Sequence, residues 1–174
     1  MFNRVVRIDD YSTVIHIDEV KNQLNIVDFN EDDDLLLALI PAACQLVESG
    51  TNHVMTNSTV ICALPVDGTA SEFLPKAPWP DSPDDITVQM DGVDVDFSFN
   101  YITGKITVTG VTGDVVISYP SGYDRDTLPK VIKQAVMMSI TNIYEHRGDT
   151  STQSLSKVSM TVNTLMQAAA WRGV

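Results

Sequence analysis

The hydrophobic positions of this chain change period twice. Residues 1–16 mix polar and β-branched side chains and predict an extended N-terminal arm. Asp18 is placed to cap a short helix, with Val20 and Leu24 facing inward, that reaches about Ile26. A second helix follows Asn30-Glu31-Asp32-Asp33-Asp34, whose acids suit the positive end of a helix dipole. Leu35, Leu39, Ala43 and Leu46 form one stripe, with Leu36, Ile40 and Val47 beside it, and Gly50 stands where a C-cap belongs. Pro41 removes one backbone bond inside this run, at a cost of about 3 kcal/mol, which predicts a kink.

From His53 to Tyr119 the period becomes two. Val54 to Ala63 and Ile86 to Met90 read as strands, and Asp91-Gly92 is a hairpin signal leading into Val93, Val95, Phe97 and Phe99. Thr103-Gly104 turns into Ile106-Thr107-Val108, and Thr112-Gly113-Asp114 turns into Val115-Val116-Ile117-Ser118-Tyr119. Leu74 to Asp84, with Pro75, Pro78, Pro80 and Pro83, reads as a rigid connection. The middle of the chain is thus predicted as an antiparallel β-module of four to five strands.

Helical spacing then returns. Pro129 suits a first helical turn, and Ile132, Ala135 or Val136, Ile140 and Ile143 recur behind it. The segment from Thr150 begins as a polar linker, and Val162 to Trp171 predicts a terminal helix with Leu165, Met166 and Ala169 on one face. Trp171 is read either as an anchor into a neighbouring subunit or as a fold-back onto its own core. The predicted class is α+β: a small antiparallel helical body of about three to four helices (17–50 and 124–147), an inserted antiparallel β-module (51–123), the arm (1–16), and a polar linker with a C-terminal tail or helix (148–174).

Composition adds a bound and charge adds a direction. Hydrophobic residues are 44% and charged residues 20% of 174, which is ordinary for a soluble globular chain. No apolar run approaches the roughly 18 residues that span a bilayer, so no membrane partner is expected. Met1-Phe2-Asn3-Arg4-Val5-Val6-Arg7 lacks the apolar stretch and cleavage site of a signal peptide. Cys44 and Cys62 sit in apolar patterns and read as buried reduced thiols. The net charge is -12, with 19 acids and 5 bases in residues 1–120 against 4 acids and 6 bases in 121–174. An acidic body argues against ordinary duplex DNA binding, which needs cations to displace counterions.

Motifs that carry chemistry fail on their second requirement. Asp28 to Asp34 imitates the opening of an EF-hand loop, but the required glycine is Asp33 and the closing glutamate is Leu39. His16, His53 and His146 are scattered and lack cysteine pairs, so no metal site is expected. No serine or cysteine lies in a nucleophile elbow, and Ser154-Leu155-Ser156-Lys157 lacks the companion motifs of penicillin-recognising enzymes. Gly110-Val111-Thr112-Gly113 is read as a hairpin turn because no lysine or helix follows. Arg147-Gly148-Asp149 is explained by helix capping, and the sequon Asn57-Ser58-Thr59 has no secretory route. Neither catalytic residues nor a cofactor are predicted.

The order of the pieces carries more than any one of them. Thr13 to Ile26 resembles the opening of head–tail connector (adaptor) proteins of tailed bacteriophages, in which an extended segment leads into a short helix and an acid-rich loop. Asp32 to Ala43 with Val47-Glu48 resembles that family's second helix. Val115 to Arg147 is similar to its closing pattern of strand, Gly-Tyr turn, proline-started helix and aromatic-acid-x-Arg end. Pro41, the surroundings of Cys44 and the long polar tail depart from it.

The resemblance implies a non-enzymatic virion protein, made in the bacterial cytoplasm, that assembles as a homo-oligomeric ring, commonly of twelve copies. Such a ring sits between the portal protein and the next neck or tail-completion protein, and genomic DNA passes through it without sequence-specific binding. Lys157, Leu165, Met166, Trp171 and Arg172 are the candidate contacts with portal or a neighbouring subunit. The alternatives are another virion component (tail completion or capsid decoration), or a small enzyme or carbohydrate-binding module using Phe97, Phe99, Tyr101 and Trp79 as a stacking surface. Against the latter, Phe97 and Phe99 share parity with Val93 and Val95, as a core face would.

Overall fold

The computed structural model describes residues 2–146 and 160–171. The chain is α+β and divides into two compact units. One holds the chain up to Asp9, Asn52–Gly122 and Trp171; the other holds Asp10–Thr51 and Tyr123–Ala170.

The first unit is a six-stranded antiparallel sheet. It comprises β1 (Phe2–Arg7), β2 (Ser58–Phe73), β3 (Thr87–Met90), β4 (Val93–Asp94), β5 (Phe97–Asn100) and β6 (Lys105–Ser121), in the order β1-β2-β6-β3-β4, with β5 also paired to β6. Its spine is the ribbon of β2 and β6, in register from Ser58 opposite Ser121 to Phe73 opposite Lys105. At about 3.3 Å per residue, the 16 residues of β2 span roughly 50 Å. Val60, Cys62, Leu64 and Val66 from β2 meet Ile106, Val108, Val115, Ile117 and Tyr119 from β6 in one core.

Three sequence expectations change here. The turn placed at Thr112-Gly113-Asp114 does not exist: β6 runs straight through it. The inward residues of β6 switch from even numbers (Ile106, Val108) to odd ones (Val115, Ile117, Tyr119) because a bulge adds one residue. Gly68 faces Val111 while Thr69 faces Thr109, leaving Gly110 unpaired at φ 81°. A bulge breaks period-two patterning just as a turn does, and a left-handed glycine supplies its backbone. Second, Val93 to Phe99 is two short strands, and Val93 is exposed while Phe97 and Phe99 pack against the core. Third, the first part of the expected extended arm is β1, paired with β2 from Phe2 opposite Ala63 to Arg7 opposite Ser58.

The second unit packs α1 (Ile17–Leu24), α2 (Asp33–Thr51), α3 (Lys130–Glu145) and α4 (Met160–Ala169). The cap of α1 is His16 rather than Asp18: the His16 ring accepts from the Asp18 N–H at 3.4 Å, and Glu19 reaches back to the His16 N–H at 3.5 Å. Helix α2 continues past Pro41 to Thr51, and the left-handed residue beyond it is Asn52 (φ 58°), not Gly50. Gly50 serves packing instead: a Cβ there would lie 2.8 Å from Met166 Sδ on α4. Leu36, Ile40, Ala43, Cys44 and Val47 of α2 and Ile132, Ala135, Val136 and Ile140 of α3 form buried stripes. Helix α2 has the length and mean hydropathy of a membrane span, but these buried stripe residues are those of a core helix, and Asp33 and Asp34 occupy its first turn.

Candidate assembly surfaces

The polar groups that the sequence singled out are held within the architecture. The acid-rich loop encloses a lysine. Lys21, buried on α1, sends its Nζ to Asp33 Oδ1 and to Asn30 Oδ1, each at 2.6 Å. A buried ammonium needs a carboxylate and satisfied donors, which is what this loop supplies. Asp32 Oδ2 accepts from the Tyr144 hydroxyl at 2.5 Å, tying the loop to α3. Nearby, Glu19 accepts from Lys133 Nζ at 2.8 Å and from Arg125 at 2.9 Å. Burial alone would raise its carboxyl, but those two cations outweigh it and hold the pKa below the ordinary value.

In the sheet unit the proline-rich connection is pinned by Tyr119. Its buried hydroxyl donates to the Lys76 carbonyl at 3.0 Å and accepts from the Lys76 N–H at 3.1 Å. Burial raises that phenol far above its ordinary pKa, so it stays neutral. Ser121 Oγ donates to the Pro78 carbonyl at 2.7 Å, next to the cis Ala77–Pro78 bond. Trp79 Nε1 donates to the Tyr101 carbonyl at 2.6 Å, and its ring occupies space a Cβ on Gly104 would need.

Of the five candidate contact residues the structure describes three, Leu165, Met166 and Trp171. Lys157 and Arg172 lie outside the described residues, as do Arg147-Gly148-Asp149 and Ser154 to Lys157. Met166 is buried and Leu165 half-buried on α4. Trp171 folds back onto its own chain: its ring centroid is 4.5 Å from that of Trp79 and 6.3 Å from that of Phe73, and its Nε1 donates to the Leu74 carbonyl at 3.0 Å. Of the two readings of Trp171, the intramolecular one is therefore what this structure displays. The proposed sugar platform is dispersed too. Phe97 and Phe99 pack on the sheet core and Trp79 on Trp171, leaving Tyr101, 58% exposed, without a companion ring among them.

Among the described residues no three potential metal ligands gather. Cys44 and Cys62 are buried and in no disulfide, and burial pushes the Cys62 thiol up to about 11, far from a reactive thiolate. Sequence reasoning missed the two ends of the sheet. Strand β1 carries Arg4 and Arg7, with Val6 and Ile8 exposed, while residues 81–96 carry Asp81, Asp84, Asp85, Asp91, Asp94 and Asp96 and no base. The signal was in the charges, but it acquires meaning only when the strand order puts these segments at opposite edges.

These ion pairs, caps and buried hydroxyls hold together two units of a mixed α+β chain. Its sequence matches the phage gp6-like head-tail connector protein family over residues 14–170, and the chain belongs to that family. The fold is similar to a chain in the neck of an empty GTA particle computed with C6 symmetry, at a TM-score of 0.73 and 20% identity, covering 100% of this chain and 97% of that one. Chains from the virion of a native gene transfer agent (GTA) particle and from a native GTA neck computed with C12 symmetry match at 19% identity, with TM-scores of 0.73 and 0.72 and the same coverage. No curated protein matches the sequence.

Proposed function

We propose that this connector assembles as a closed ring of identical copies, about twelve, between the portal and the tail of a phage-like particle, extending the DNA channel. The observation that carries this reading is the family match over residues 14–170. The cyclic symmetry of the necks that contain its structural likenesses supports a ring.

The charge fits a channel. Twelve copies at -12 each carry on the order of -144 charges before screening, and an acidic wall repels phosphates so that DNA slides without adhering. Docking on portal falls to the C-terminal segment, where Lys157 and Arg172 meet an acidic portal surface. Two other bases of the C-terminal third, Arg125 and Lys133, are paired with Glu19. Leu165 and the 86% exposed Met160 give that segment its apolar contact.

Electron microscopy of the protein mixed with the portal protein of the same particle tests this. Collars of uniform subunit number on the portal are expected. A protein that stays monomeric and never joins portal, or that turns over a substrate or binds a sugar instead, contradicts it.

A further inference from the structure

Helix α2 is apolar on the side its own core does not use. From Leu35 to Val47 it carries no charged residue. Leu36, Ile40, Ala43, Cys44 and Val47 are buried, with α1, α3 and α4 packed against the helix. On the outer side Leu37 is 53% and Leu46 36% exposed, Ala38 and Ala42 are exposed, and Leu35, Leu39 and Pro41 are half-buried. Leu37 and Leu46 stand about two and a half turns apart, so they mark the edges of an arc covering about half the helix circumference. The other helices expose large apolar side chains at or near their ends, Val131 and Ile143 on α3 and Met160 on α4. Pro41 adds an acceptor to the arc: having no N–H, it leaves the Leu37 carbonyl without its helical donor.

Charge says what can cover this face. A nucleic acid needs cations, and a basic partner gains most at carboxylates; the arc offers neither. A second copy of this chain is a different case. Each copy carries -12, so two copies approach with least repulsion where the touching surface is uncharged. In a closed ring every copy also gives up surface to two neighbours. We infer that the outer face of α2, from Leu35 to Leu46, is buried against a neighbouring copy of this chain. The inference rests on the ring reading and places its subunit contact. Removing Leu37, Leu46 and the two alanines from water drives the association, and a donor of the neighbour meets the Leu37 carbonyl. At about 1.5 Å per residue and about 10 Å across, the arc is a strip of about 200 Å². A stable contact takes about 800 Å² from each partner, so the strip is the apolar centre of the interface and flanking surface forms its rim.

The test reads self-assembly and portal loading by native mass spectrometry over a concentration series, with melting curves to establish folding. Ala38→Glu with Ala42→Glu places two carboxylates on the exposed strip, at positions where glutamate suits a helix. Alone in solution this variant is expected to assemble at least about tenfold more weakly than wild type. On the portal protein of the same particle its first copy should bind within about threefold of wild type, while cooperative filling by later copies is lost. Val93→Glu, at a 68% exposed apolar site in the sheet unit, should assemble like wild type. Should the double variant unfold, Ala42→Glu alone takes its place. A folded variant that assembles and fills the portal like wild type overturns the inference, as does an equal loss with Val93→Glu. A variant whose first copy no longer binds portal assigns the face to portal instead. Wild-type protein that floats with phosphatidylglycerol vesicles, when the variant does not, assigns it to lipid. Each of these results overturns the inference and leaves the ring reading intact. Wild-type protein that forms no ring, alone or on portal, overturns the ring reading and the inference with it.

Discussion

Gly122 is the position where one added carbon should do most damage. It follows β6, at φ 132°, and a Cβ built there would lie 2.2 Å from the carbonyl oxygen of Thr56, 2.5 Å from its carbon and 2.7 Å from the N of Asn57. All three are backbone atoms, so no rotamer change relieves the contact. A carbon and a carbonyl oxygen rest about 3.3 Å apart, so the two chain segments must separate by about 1 Å. Forced overpacking costs about 1–3 kcal/mol or more, and the left-handed backbone adds about 1–3 kcal/mol for a side-chain-bearing residue. Gly122→Ala should therefore lose about 2–6 kcal/mol, a large part of a typical domain's stability. Gly68 separates the two contributions, because it has φ 73° but nothing within 4 Å of its virtual Cβ. Gly68→Ala should show the backbone cost alone. In urea titrations with an m-value of about 2 kcal/mol/M, Gly122→Ala should lower the midpoint by about 1–3 M and Gly68→Ala by about 0.5–1.5 M. If Gly122→Ala costs no more than Gly68→Ala, the close approach to Thr56 is refuted.

Three further outcomes follow from the same contacts. Tyr119→Phe removes both bonds to Lys76 and leaves a backbone N–H and carbonyl without that partner; a loss of about 1–3 kcal/mol by urea titration is expected, and an unchanged midpoint would contradict the clamp. Because the folded pKa of Glu19 is lowered, its stabilisation is fully present above the ordinary 4.5 and disappears as pH falls through the folded value. Glu19→Gln should accordingly be less stable than wild type at neutral pH and converge on it in acid; a gap independent of pH would refute the ion-pair account. Trp171→Ala removes a ring stacked on Trp79 and one hydrogen bond, so a fall of about 2–3 kcal/mol and a changed Trp79 emission are expected, against no change if Trp171 belongs to a neighbouring copy.

Helices were legible where burial is one-sided. The run from Ile132 to Ile140 stands out at helical spacing and is the buried face of α3, whereas on α2 the buried face is Leu36, Ile40, Ala43 and Val47, one position round from the expected stripe of Leu35, Leu39, Ala43 and Leu46. Strand continuity was not legible, because the Gly110 bulge shifts parity by one residue and local patterning cannot distinguish that from a turn. The roles of Gly50 and Trp171 were hidden for another reason: each depends on a contact with a residue far away in sequence, Met166 in one case and Trp79 in the other. The acidic run 81–96 was visible as composition, while its place at the sheet edge opposite β1 required the strand order.

The central claim is that this family member forms a ring at the head–tail junction, and cryo-electron microscopy of the complete particle tests it most directly. The claim predicts a closed ring of this fold directly beneath the portal, about twelve copies around the DNA axis. Density for the fold elsewhere in the particle, or as isolated copies that do not encircle the axis, would contradict it.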